Sequence, residues 1–281
     1  MALILGLLLS ASCSAGGQEI ADVLISSTPG RTAATVTPTS TSTHTPVSVE
    51  SPTVTNSAPT VQPEPGLCTP LEGVNVADIL TMVTNPFAPP PPGRDEAHQG
   101  IDIAQRDPQT QISLEGLRVQ AVFAGRVAAS INDRFPYGNA LIIETLNSEL
   151  PEGLEAKLPT PAPTPVSHSP LNCPDVSQIH TDAAEQDSLY LLYAHLKEPS
   201  SLQPGASVSC GQTLGVIGST GNALNPHLHL EARLGPAGTS FASLSHYDSR
   251  ATPEEMANYC YWRISGWFRL IDPLITLGLT P

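Results

Sequence analysis

Short apolar runs, each cut off by a turn residue, limit this chain's fold more than anything else in it. From Ile101 onward they are Val119–Val127, Ala140–Thr145, Leu189–His195, Thr213–Ile217 and His227–Ala232, separated by Gly, Asn and Pro. Runs of this length between turn signals predict strands, so the fold is mainly β: an antiparallel sheet or partly open, barrel-like sandwich. Gly205 and Gly211 bracket Val208, as a strand with tight turns requires. Two long insertions interrupt the pattern, at about 147–187 and 235–265; the first carries Pro159-Thr-Pro-Ala-Pro-Thr-Pro165 and far exceeds a normal connection. Within the second, Thr252 as N-cap, Pro253 at N1 and Glu255 at N3 predict a capped helical turn over Thr252–Asn258. Val74–Val83 reads as a short helix. Trp267–Leu274 is expected to pack back on the sheet.

Upstream the composition changes. Met1–Leu9 is an uncharged apolar run, too short to span a membrane as a helix, and reads as part of a signal peptide. The small residues before Cys13 resemble a lipoprotein processing site, with cleavage near Ala11 or Ala15 as the ordinary alternative. Residues 1–13 are thus the expected signal segment and 14–66 a disordered Ser/Thr/Pro-rich linker. A folded domain with the two insertions is expected over 67–281.

The formal net charge of −14 argues against nucleic-acid binding, which needs a basic surface. It also disfavours electrostatic attachment to anionic lipid, leaving a lipid on Cys13 or a signal sequence as the expected membrane link. Besides Cys13 there are four cysteines, Cys68, Cys173, Cys210 and Cys260, enough for two disulfides in an exported protein, with three pairings open.

Chemistry-bearing residues gather in three places. In His227-Leu228-His229-Leu230-Glu231 the period-two alternation puts His227, His229 and Glu231 on one strand face and the leucines in the core; Pro226 places the pair near a strand entrance. His98 and Asp102 sit just before and within the strand-like Ile101–Ala104. Three protein ligands plus water is the pattern of a catalytic zinc, and His98, Asp102 and one histidine of the later pair supply it. The third place is Tyr190–Leu196, an apolar strand ending in His195. Glu231 is open between holding a ligand imidazole and bonding a neighbouring strand. His44, His168, His180 and His246 are expected to be solvated.

His98…Asp102, then Tyr193…His195-Leu196, then Gly218-Ser-Thr-Gly221…His227-Leu-His229-Leu-Glu231 resembles the lysostaphin/LytM-type zinc endopeptidases of metallopeptidase family 23, over roughly residues 85 to 232. Val119–Val127, Tyr137-Gly-Asn139 and Gly205–Gly215 match in kind. The resemblance implies the duplicated hybrid motif type of fold and Zn²⁺ held by His98, Asp102 and His229. It implies catalytic roles for His195 and His227, one taking a proton from water and the other stabilising the oxyanion. It further implies action on peptidoglycan stem peptides and cross-bridges, by an exported and monomeric enzyme. Two other readings remain. One is a catalytically inactive wall-binding module that regulates other hydrolases. The second is a cytoplasmic sugar-phosphotransferase component of similar architecture, which needs no Asp102.

Overall fold

The structure, a computed structural model, describes residues 66–91, 93–158, 171–174 and 186–279. All lie in one compact unit, Pro59–Pro281. The signal segment, almost all of the linker, Cys13, His44, His168 and His180 fall outside the described residues.

In chain order the elements are α1 (Ile79–Met82), β1 (Val83–Asn85), β2 (Ile101–Ile103), β3 (Arg118–Gln120), β4 (Gly125–Arg134), β5 (Gly138–Leu146), β6 (Asp187–Leu196), β7 (Ser207–Val208), β8 (Thr213–Val216), β9 (Leu228–Pro236), α2 (Pro253–Arg263), β10 (Arg269–Ile271) and α3 (Pro273–Thr276). Eight strands form one antiparallel sheet in the order β1-β2-β9-β6-β5-β4-β7. The short strands β2 and β10 share one edge of β9, facing Leu228–Leu230 and Ala232–Leu234 respectively. β3 and β8 form a separate antiparallel pair. The mainly β, antiparallel expectation holds, and the closing segment does pack back, through Phe268 and β10.

Alternation along the central strands explains the layering. Leu189, Leu191, Tyr193, Leu228 and Leu230 enter one core, with Val119 and Leu214 of the β3–β8 pair on its far side. Tyr190, Leu192 and Ala194 enter a second core made with Phe241, Leu244, Tyr259, Tyr261, Trp262 and Phe268. Strand β6 is buried at every residue after Asp187, as its apolar run leads one to expect. The alternation of His227–Glu231 predicts a half-buried strand, yet β9 is buried throughout. The second insertion is the reason, because it folds over the face that alternation alone leaves to solvent. Burying aromatic side chains of this size is worth about 1.5–3 kcal/mol each, which makes this insertion part of the domain's framework.

Three local expectations shift. The run Val119–Val127 splits between two sheets: β3 ends at Gln120, and Ala121–Ala124 turn inward, with Val122 N–H donating to Tyr193 Oη at 2.9 Å. Val74–Val83 is a 3₁₀ turn, then four α residues, then the first strand residue. The helical turn at Thr252 runs on to Arg263, with both arms of the capping box made. The disulfides are Cys68–Cys210 and Cys173–Cys260; the second ties the two insertions together.

Candidate active site

Antiparallel pairing of β2 with β9 sets Asp102 opposite His229, and pairing of β6 with β9 sets Ala194 opposite His229. This register brings together residues more than 100 positions apart. His98 arrives from the loop before β2. Gly100 permits the approach, since a Cβ there would meet Leu230 O at 2.4 Å and the His229 ring at 2.9 Å. His195 ends β6 with φ of +64°, a left-handed conformation rare for a residue with a Cβ. It is fixed there by its N–H on Tyr137 O (3.1 Å) and by Gly218 N–H on its own carbonyl (3.1 Å). His227 is pinned by its N–H on Gly218 O (3.2 Å).

His98 Nε2, Asp102 Oδ1 and His229 Nδ1 lie 2.8–3.1 Å from one another. His227 Nε2 is 3.4 Å from the same carboxylate oxygen. The His195 ring centroid is 4.7 Å from that of His227 and 5.7 Å from that of His229. All five residues line one cleft of about 490 Å³. Every predicted site residue is therefore in one place.

The outward nitrogen of each imidazole assigns its tautomer. His98 Nδ1 faces Pro86 O (2.9 Å), His195 Nδ1 faces Thr220 O (2.7 Å) and His227 Nδ1 faces Asn225 O (2.7 Å). A carbonyl only accepts, so each of these nitrogens carries the hydrogen. His229 Nε2 faces the Glu231 carboxylate at 3.2 Å and donates likewise. In the neutral rings the inward nitrogens are then lone pairs. Those of His98 and His229 point at each other and at Asp102 Oδ1 with no hydrogen between them, an arrangement that a cation satisfies. Zinc bonds of about 2.0–2.2 Å put tetrahedral ligand atoms about 3.3–3.6 Å apart, a few tenths of an ångström beyond the spacing found here. The donor set fits zinc.

Charges around the cluster are strongly biased. Burial alone would raise the Asp102 pKa, but the imidazoles of His229 and His98 packed against its Oδ1 overrun that cost and hold the carboxyl far below the usual range. Burial lowers His229, yet Asp102 and Glu231 together raise it to about 8. His195 is lowered to about 3, first by burial and then by the neighbouring His229 and His227, so it is neutral at any working pH.

Behind His229 stands a buried charge cluster of which sequence reasoning named only Glu231. Glu231 is fully buried and accepts from Arg263 Nη1 (2.7 Å), Arg233 Nη2 (3.0 Å), Trp262 Nε1 (3.1 Å) and Tyr137 Oη (3.2 Å). Arg263 also donates to Asp95 Oδ1 (2.6 Å), which accepts from Tyr259 and Tyr247 as well. α2, in the second insertion, thus supplies Arg263 and Trp262 to steady the residue that orients His229. Arg233 could have been found, because it continues the polar face of β9; Asp95 and Arg263 carry no local signal. Thr220 gives the Gly218–Gly221 segment its purpose: its carbonyl holds His195 while its hydroxyl joins Leu196 O (2.8 Å) to Asn139 N–H (2.9 Å). His246, expected in solvent, is buried and stacked on Tyr259 (5.2 Å), because the insertion closes over it.

Among solved structures, the chain is similar to the catalytic domain of lysostaphin from Staphylococcus simulans, at 16% identity over 73% of this chain and 98% of that one, TM-score 0.38. It is similar to a putative peptidase M23 from Pseudomonas aeruginosa, at 18% identity over 78% of this chain and 55% of that one, TM-score 0.34. A zinc-containing peptidase from Vibrio cholerae matches at 23% identity over 54% of this chain and 33% of that one, TM-score 0.30. This chain spans about half the length of the Pseudomonas protein and a third of the Vibrio protein. Residues 178–241 match the profile of Peptidase family M23, a span that holds His195, His227 and His229 and stops short of His98 and Asp102. Over the stretch that supplies three of its four cleft histidines, this chain is similar to Peptidase family M23.

Proposed function

We propose that this protein is an exported zinc metalloendopeptidase that hydrolyses peptide cross-links of bacterial peptidoglycan. The observation that carries the reading is the convergence of inward lone pairs from His98, His229 and Asp102, each set by a hydrogen bond on the far side of its ring or by the register of β2 on β9.

His98 Nε2, Asp102 Oδ1 and His229 Nδ1 would hold the ion. When bound, zinc supplies Lewis acidity, polarising a carbonyl and making water acidic near neutral pH. His195, neutral and fixed by Thr220 O, offers Nε2 to align an attacking water through its hydrogen. His227 offers the second Nε2 on the same side of the cleft. A proton that reaches either ring leaves the other neutral, because two imidazolium rings 4.7 Å apart repel. The pair therefore provides one proton acceptor and, after transfer, one donor for the oxygen that gains negative charge. Glu231 keeps the His229 N–H turned away from the ion.

A lipid on Cys13 and the 14–66 linker would hold the domain off a membrane within reach of the wall. Cys13→Ala should then move the protein to the soluble fraction, and unchanged membrane association removes that part of the proposal. The activity is tested by digesting purified peptidoglycan and weighing the fragments. One zinc per chain, new peptide termini and their loss with a chelator are expected. Tight zinc without any cleaved bond would favour the wall-binding module instead.

A further inference from the structure

Among the described residues, Arg106 has no anionic partner. Within that set the other cleft guanidinium, Arg263, is bound to Asp95 and Glu231, whereas Arg106 makes no side-chain hydrogen bond or ion pair and is exposed. Its neighbours leave it so. Asp107, next in sequence, turns its carboxylate to Gln109 N–H (3.0 Å) and Thr110 N–H (2.7 Å), and Glu115 pairs with Lys197 (3.1 Å). In a chain of net charge −14, an arginine left unneutralised at a cleft is a specific feature.

The loop that bears it is built. Leu114 N–H bonds Gln105 O (2.8 Å), Arg106 bridges Ser113, and Asp107 N–H bonds Ile112 O (2.9 Å), which makes a small hairpin out of residues 105–114. Arg106 lines the cleft that holds the five site residues and also a second cavity of about 520 Å³ lined by Val74, Met82, Val83 and Gln111. Thr84 and Ala104 are likewise common to both. The cleft therefore continues past the proposed metal ligands, and Arg106 stands where the two spaces meet.

We propose that Arg106 anchors a free carboxylate of the peptide substrate, directing the chain from the metal ligands toward the second cavity. A guanidinium matches a carboxylate with two parallel N–H donors, a geometry an ammonium cannot reproduce. The substrate class is thus a peptide with an unamidated carboxylate near the scissile bond. This deepens the peptidase reading and rests on it for the reaction, though not for binding.

The probe is the stem tetrapeptide L-alanyl-D-isoglutaminyl-L-lysyl-D-alanine, whose one carboxylate is C-terminal, beside its C-terminal amide. Binding to the full chain is measured by calorimetry, zinc-loaded and metal-free, for the parent protein, Arg106→Gln and Arg106→Lys. The acid should bind about 10- to 100-fold tighter than the amide, the range of one charged hydrogen-bonded contact. Arg106→Gln should erase that preference with or without metal, and Arg106→Lys should restore only part of it. Equal affinity for acid and amide, or binding of neither, overturns the proposal. So does a preference that survives Arg106→Gln but vanishes without metal, which puts the carboxylate on the ion. Wall digestion run in parallel separates the two claims. Digestion without acid preference removes Arg106 alone, and acid preference without digestion removes the peptidase and keeps Arg106.

Discussion

Glu231→Gln changes almost no volume and removes one buried charge. The native carboxylate, with no exposed surface, takes hydrogen bonds from Arg263, Tyr137 and His229 on Oε1 and from Arg233 and Trp262 on Oε2. An amide has one oxygen and one NH₂. With its oxygen toward Arg263 and His229, the NH₂ meets the N–H groups of Arg233 and Trp262; flipped, it meets those of Arg263 and His229. Either way donors oppose donors, and the balanced set Asp95, Glu231, Arg233 and Arg263 becomes net positive beside the proposed cation site. Breaking a buried pair by removing one partner costs about 3–5 kcal/mol. For a domain of this size that lowers Tm by about 6–20 °C. Losing the partner of a ligand imidazole weakens metal affinity about 10- to 100-fold. Urea melts of metal-free protein read the first effect, and zinc competition against a chelator reads the second. Stability within about 0.5 kcal/mol of the parent, with unchanged zinc affinity, would refute the claim that Glu231 couples the framework to the metal ligands.

Alanine at His98 or Asp102 should abolish both zinc content and wall hydrolysis, whereas His227→Ala should keep zinc and lose turnover. Metal analysis checks this, and zinc loss in His227→Ala would mean that His227 is a ligand. Asp95 titrates below the usual carboxylate value of 3.8 because Arg263, Tyr259 and Tyr247 outweigh the cost of its burial. Its contribution is therefore present above pH 3.8 and lost as the pH falls through the lower folded value. Denaturant melts from pH 5 downward should show this loss for the parent and a flatter profile for Asp95→Asn. Replacing Cys68 and Cys210 by serine opens a link across 142 residues and should cost about 2–5 kcal/mol. An unchanged urea midpoint would show that the link adds nothing.

Legibility followed the range of the interactions. The proposed metal-ligand set could be read because each half is local: His98 and Asp102 are four residues apart at a strand entrance, and His227 and His229 share a face by strand parity alone. The register of β2 on β9 that joins the halves needed only that both be strands. Val119–Val127 misled because a run of apolar residues says they are buried but not in which sheet; the chain leaves β3 at Gln120 and enters β4 at Gly125. Asp95 and Arg263 were invisible because their partners lie 168 positions apart, with no period or spacing to mark them.

The face of β9 held a clue that local reading did not use. His227, His229, Glu231 and Arg233 make four polar residues in a row on one side of a central strand. Such a row cannot face an apolar core, because a buried charge without a partner is too costly. It must meet either solvent or another set of charges. Solvent was the simpler expectation for an isolated sheet. The chain takes both options along one strand: His227 and His229 open to the cleft, while Glu231 and Arg233 lie under α2, which brings Arg263. His229, itself buried, lines the cleft and Glu231 lies behind it, so the hydrogen bond joining them links the insertion's stability to the placement of a proposed metal ligand. Shortening the second insertion should for that reason impair zinc binding as well as folding.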